Sequence, residues 1–85
     1  LSPHTQGILD PTLELAKLEK KSSEASSRIE ALHKKMALPG YQDKTPAAVQ
    51  ADDGDKLNKA EAELAAAQQH MQDMRTMIAE QQQQQ

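Results

Sequence analysis

Apolar residues recur along this chain at the spacing of a single helix face. In the first half they fall at Leu15, Leu18, Ala25, Ile29, Leu32 and Met36, with Ser22 as one polar slot. The steps alternate three and four, which is the seam of a heptad repeat. A second seam runs through Leu57, Ala60, Leu64, Ala67, Met71, Met74 and Ile78 with the same alternation. Asp10-Pro11 supplies a helix start before the first seam, with Asp as cap and Pro at the first helical position. Pro39 disfavours helix at the residue before it, and Gly40 tolerates a left-handed turn, so helix 1 is expected to stop at Leu38. Thr45-Pro46 repeats the start signal for a second helix. The sequence therefore predicts an all-α chain: an antiparallel two-helix coiled-coil hairpin, about 11–38 and 46–80, with a structured tip loop.

Folding one predicted helix back on the other aligns the seams. Leu15 meets Ile78, Ser22 meets Met71, Ile29 meets Leu64 and Met36 meets Leu57. The same register places Glu19 near Arg75, His33 near Glu61 and Arg28 near Glu63. Each such surface pair is worth only roughly 0–1 kcal/mol, but their signs agree with this pairing. The register also leaves helix 2 projecting beyond helix 1 by about three turns. The segment PGYQDKTP must cover that projection. Tyr41 is expected to lie against Val49 or Ala48 and seal the tip, so the loop is both turn and cap. Gly54 is a weak point in the second helix, costing about 1 kcal/mol relative to Ala.

Composition changes the picture in two ways. The 85 residues contain no Phe, Trp or Cys, and Tyr41 is the single aromatic residue. A chain this short buries a low fraction of its surface, and one rich in Ala, Leu, Glu, Lys and Gln reads as long helices. An elongated object with a thin core is expected. Without cysteine there is neither a disulfide framework nor a thiolate metal site. No apolar run approaches the ~20 residues of a membrane span, so no membrane partner is expected. Residues 1–9 read as a linker from a preceding domain, 10–80 as the hairpin arm and 81–85 as a poly-Gln tail. The first residue is Leu, which reads as a piece of something longer.

The net charge of −3 is unevenly placed. Residues 11–40 hold six Lys and Arg against four Asp and Glu, while residues 46–85 hold three against seven. A basic helix beside an acidic one suits self-pairing.

The tip motif resembles that of a known family. Gly40-Tyr41-Gln42-Asp43-Lys44-Thr45-Pro46-Ala47-Ala48-Val49 follows the pattern G-(Y/F)-x-x-K-x-P-x-x-V, similar to the C-terminal coiled-coil arm of valyl-tRNA synthetase. DPTLELAKLEKK at 10–21 and KLNKAEAELAAA at 56–67 resemble the outgoing and returning helices of that arm, so the likeness covers residues 10–78. Its VQAD continuation is closer to eukaryotic members. The resemblance implies a non-catalytic appendage of a valine–tRNA ligase. Such an arm contacts the outer corner of a valine-accepting tRNA, where the D and T loops meet, and strengthens tRNA binding. ATP and Mg would belong to the parent's catalytic domain, and no cofactor is expected in this fragment. The compartment expected is cytoplasmic, with mitochondrial as the alternative. One departure is Asp52-Asp53-Gly54-Asp55, where many relatives carry basic residues. It weakens the tip as an RNA contact or shifts contact to helix 1.

Candidate RNA-binding residues are Lys34, Lys35 and Lys44 near the tip, Tyr41 as a stacking platform, and Lys21 and Arg28 further down. Lys21, Arg28 and Lys35 repeat every seven residues and form a stripe suited to phosphates. Each also has a structural reading: Arg28 can pair with Glu63, the lysines can be a solvated face, and Tyr41 can pack on its own helix. Pro39, Gly40, Thr45, Pro46 and Val49 are the residues that shape the tip. His4, His33 and His70 are scattered, and Met71, Met74 and Met77 read as adaptable core residues; neither set points to a metal. No nucleophile–base pair or phosphate loop occurs, so the 85 residues are not expected to be an enzyme. The competing reading is a helical hairpin that docks to protein partners within a larger assembly without binding RNA.

Overall fold

The computed structural model describes residues 10–83. Three helices follow in order: α1 (Pro11–Met36), α2 (Tyr41–Lys44) and α3 (Ala47–Gln83). The proposed linker 1–9, with His4, and Gln84 and Gln85 of the tail lie outside the described residues.

α1 starts where the sequence places it. The Asp10 carboxylate accepts from the Thr12 and Leu13 amides at 3.1 and 3.3 Å, and Pro11 occupies the first helical position. These bonds satisfy amides that have no partner inside the helix. α1 ends two residues earlier than expected, at Met36. Leu38 precedes Pro39, whose ring disfavours α geometry at that position. The last α-type bond runs from the Ala37 amide to His33 O at 3.0 Å, and the chain leaves through a tighter three-residue bond from the Leu38 amide to Lys35 O at 3.3 Å. α3 starts at Ala47, one residue after the expected start, and reaches Gln83, three residues beyond the expected end. Glutamine is a good helix former, so Gln81, Gln82 and Gln83 continue the helix.

α1 and α3 pack along their length, and the longest dimension of the molecule is 61 Å. All the predicted seam residues are buried or half-buried. The most enclosed apolar ones are Leu18, Ala25, Ala60, Ala67 and Met71. Alanines at these points let the two backbones approach closely and leave a core one side chain thick. The cross-helix bonds fall in opposite order along the two helices: Arg28 meets Glu63, and Lys35 meets Asp53. Glu19–Arg75 and His33–Glu61, expected from the register, are not among the ion pairs of the described residues. These are exposed positions, where such a pair gains little over hydration. No described helix is long and apolar enough to cross a membrane.

Candidate nucleic-acid interface

The tip connects α1 to the projecting start of α3. Gly40 adopts φ +79°, the left-handed conformation that L side chains disfavour. That turn directs the chain into the single helical turn of α2. The Tyr41 amide bonds Leu38 O at 3.0 Å, and the Lys44 amide bonds Gly40 O at 2.8 Å. Thr45 is extended and closes α2 through its amide to Tyr41 O at 3.0 Å. Thr45 was expected to cap the second helix with its side chain. Instead Pro46 O accepts the first helical bond, from Gln50 at 3.0 Å. The Gln50 amide group donates to Thr45 O at 2.8 Å and Gln42 O at 3.0 Å. The side chain that secures this junction therefore comes from one turn inside α3.

Beneath α2 lies a buried carboxylate. Asp53 is 1 % exposed, the most enclosed side chain of the tip. The Tyr41 hydroxyl donates to Asp53 Oδ2 at 2.6 Å, and Lys35 Nζ donates to Asp53 Oδ1 at 3.1 Å. The triad draws one residue from each helix. Among the described residues no buried side-chain polar atom lacks a partner, as a buried charge requires. The Tyr41 hydrogen bond, joined by the bond and charge of Lys35, holds the Asp53 carboxyl below its ordinary range despite burial. The same hydrogen bond, reinforced by burial and the Asp53 charge, pushes the Tyr41 phenol up to about 12.

This geometry corrects the expected role of Tyr41. Tyr41 is buried at 8 % exposure, yet Val49 remains 38 % exposed and Ala48 is exposed as well, so the tyrosine seals neither. It reaches past Val49 to Asp53, one helical turn further along α3. At 8 % exposure and with its hydroxyl bonded to Asp53, Tyr41 offers little surface to a base, and its structural reading is the one these bonds favour.

The remaining candidates divide by their partners. Arg28 pairs with Glu63 at 3.2 Å, both side chains remaining partly exposed. Lys35 is anchored to Asp53 while about half of its side chain stays in solvent. Lys21, Lys34 and Lys44 are exposed and take part in none of the ion pairs of the described residues. The Lys44 stem runs beside Gly40, within van der Waals reach of where a Cβ there would sit. Pro39 and Pro46 are exposed, and Thr45 and Gly40 are half-buried. Lys56 pairs with Asp52 at 3.0 Å, and that bond and charge raise its pKa.

Two residues that matter here were missed by the sequence reading. Asp53 and Gln50 extend the second seam backward from Leu57 by steps of four and three. A seam judged by apolar residues alone stops at Leu57. Carried two more steps regardless of polarity, it points to the two side chains that build the tip. The acidic run 52–55 also divides: Asp53 is internal, while Asp52 and Asp55 face solvent.

Comparison with known proteins adds an independent line. The family described as the valyl-tRNA synthetase tRNA-binding arm matches residues 12–75, from the first turn of α1 to the last third of α3. Valine–tRNA ligase of Rattus norvegicus is 46 % identical over 59 residues, which are 69 % of this chain and 5 % of that protein. The Homo sapiens enzyme is 44 % identical over 59 residues, with the same coverage. The Takifugu rubripes enzyme is 30 % identical over 73 residues, 86 % of this chain and 6 % of that protein. The chain thus spans about a twentieth of the length of these relatives. No solved structure matches it.

Proposed function

The chain belongs to the family of valyl-tRNA synthetase tRNA-binding arms, and we propose that it works as that arm, holding the outer D/T-loop corner of a valine-accepting tRNA. The family match is to the binding arm of a ligase and not to its catalytic domain. The observation that carries the proposal is the coincidence of the matched segment with the helical hairpin and its tip. We read the seam as an antiparallel coiled coil. The opposite order of the Arg28–Glu63 and Lys35–Asp53 bonds and the heptad burial support that reading. The buried triad fixes the tip as a rigid end, and Lys34, Lys35 and Lys44 present cations there. Lys21 and Arg28 continue the charge down α1. Contacts of this kind add affinity and set orientation without carrying chemistry. In the parent, valine ligation with ATP and Mg would take place on another domain, in the cytoplasm.

The test is binding of this chain to a folded tRNA and to one with a disrupted D/T-loop corner, each at two salt concentrations. Phosphate contacts release counterions, so affinity should fall steeply with salt. The corner-disrupted tRNA should bind weakly. Salt-insensitive or absent binding would reject the proposal. It would favour a second reading, docking to a protein partner, for which the exposed Leu38 (60 %) and Val49 at the tip are the supporting observation.

A further inference from the structure

One flank of the hairpin carries a groove of about 360 Å³ between α1 and α3, below the tip. Its floor is apolar: Ala31 and Leu32 from α1 and Ala60 from α3. Its rim holds three cations, Arg28, Lys56 and Lys59, with Glu63 as its one carboxylate. Helical spacing makes this arrangement: Arg28, Ala31 and Leu32 share one face of α1, and Lys56, Lys59, Ala60 and Glu63 share one face of α3. α3 is acidic as a whole, and two of its three cations are gathered at this rim. Lys59 takes part in no ion pair of the described residues. Arg28 and Lys56 are each directed by one exposed carboxylate, Glu63 and Asp52, in pairs weak enough for a phosphate to replace.

We propose that this groove seats one nucleotide of the bound RNA, with Lys59, Lys56 and Arg28 on its flanking phosphates and its sugar or base against Ala31, Leu32 and Ala60. The assignment rests on the tRNA-binding reading above and adds a second contact, on the side of the arm, to the one at the tip. Charge complementarity selects the occupant. An apolar floor with a cationic rim matches a nucleotide, which pairs a flat, weakly polar body with an anionic phosphate. The volume lies at the small end of the about 300–1,000 Å³ of small-molecule sites, which suits one residue of a strand and not a helix.

The test measures affinity of the full chain for folded tRNA across a salt series. The variants are the Lys56→Gln/Lys59→Gln pair, Ala31→Gln, and Lys20→Gln as a control on the exposed outer face of α1. All four positions are exposed, and helicity by circular dichroism checks that each variant keeps its fold. The double lysine variant should lose about tenfold or more in affinity, and its salt slope should drop by roughly one per phosphate contact removed. Ala31→Gln fills the groove without changing charge and should weaken binding at an unchanged salt slope. Lys20→Gln should lose less than the double variant does per lysine. If the wild type binds tRNA and the double variant keeps both affinity and slope, the groove assignment is overturned while the arm's function stands. An unaffected Ala31→Gln also overturns it, since the cations would then act without the groove. If the wild type binds no tRNA but the groove captures an acidic peptide, both readings fall together.

Discussion

The shaft and the tip of this hairpin are held together by different means. In the shaft, small and medium apolar side chains alternate along two seams, and the buried seam residues are Leu18, Ala25, Ala60, Ala67 and Met71. Each contact resembles its neighbours, and a heptad repeat admits other registers one or two turns away. At the tip, one buried carboxylate receives bonds from Tyr41 and Lys35, and one glutamine binds two carbonyls. Those bonds are satisfied in one arrangement alone. The shaft supplies stability, and the tip supplies register. A buried polar residue between packed helices fixes alignment in other helical systems, and Asp53 is buried between the helices here.

The largest expected effect lies in the shaft. Leu18→Ala removes a buried side chain from a core one layer thick, with an expected loss of about 2–5 kcal/mol. Denaturant unfolding followed by circular dichroism measures it. A loss below about 1 kcal/mol would mean that the seam contributes little and that the tip governs stability as well as register.

Next comes Asp53→Ala, which leaves the Tyr41 hydroxyl and Lys35 without their acceptor. The melting temperature should fall by on the order of 5–10 °C. Tyr41 is the sole aromatic residue, so its fluorescence reports the tip directly. The variant should show a solvent-exposed tyrosine while α1 and α3 remain helical. Asp53→Leu sharpens the comparison: it restores an apolar seam residue, so it should recover helicity but not the buried tyrosine signal. If the tyrosine stays buried in both variants, the carboxylate is not what orders the tip.

The pH dependence isolates the same triad. The Tyr41 phenol is raised to about 12 when folded, against about 10 in an unfolded chain. Its contribution is fully present below about pH 10 and is lost as pH rises through about 12, because the unfolded chain releases that proton first. The Asp53 shift has the opposite sense. Its folded pKa is depressed, so its contribution is present above about pH 4 and is lost as pH falls through the lower folded value. Tyr41→Phe should remove the alkaline limb of the stability profile and shrink the acid limb. Tyrosinate absorbance during alkaline titration of the unsubstituted chain should rise at about pH 12 and not at about 10, since Tyr41 is its single tyrosine.

Legibility in the sequence follows the same division. The two seams, the Asp10 cap and the Gly40 turn could all be read, because each depends on residues within one or two turns of one another. The hydrogen bonds of Asp53 could not. They join residues 12 and 18 positions apart, across helices whose ends were uncertain by one to three residues. Tyr41 is recognisable as the tip's cap but is assigned to Val49 or Ala48, because an aromatic ring is matched with an apolar neighbour. The phenol's hydrogen bond to a buried carboxylate decided its direction instead. Likewise Lys56 and Lys59 drew no notice in a helix of net negative charge, and only folding brings them opposite Arg28.

Two glycines extend the comparison at smaller magnitude and with opposite signs. Gly40→Ala places a side chain at φ +79° and should cost about 1–2 kcal/mol, with the loss concentrated at the tip. Gly54 lies inside α3, where an added Cβ meets nothing within 4 Å. Gly54→Ala should therefore stabilise by about 1 kcal/mol. Thermal melts of the two variants should move in opposite directions.

The smallest effect belongs to the one ion pair that, among the described residues, bridges α1 and α3 in the shaft. Arg28 and Glu63 meet at 3.2 Å with side chains 58 % and 38 % exposed. Solvent screens such a pair, and holding two long side chains in one geometry costs entropy, so its coupling should be at most about 1 kcal/mol. A double-mutant cycle with Arg28→Ala and Glu63→Ala measures that coupling at low and high salt. It should shrink as salt rises, whereas the effect of Asp53→Ala should change less, because the Tyr41–Asp53 bond is buried and only the Lys35 contact is open to solvent. A salt-resistant Arg28–Glu63 coupling well above 1 kcal/mol would erase the distinction drawn here, since the shaft would then also hold a specific polar lock of its own.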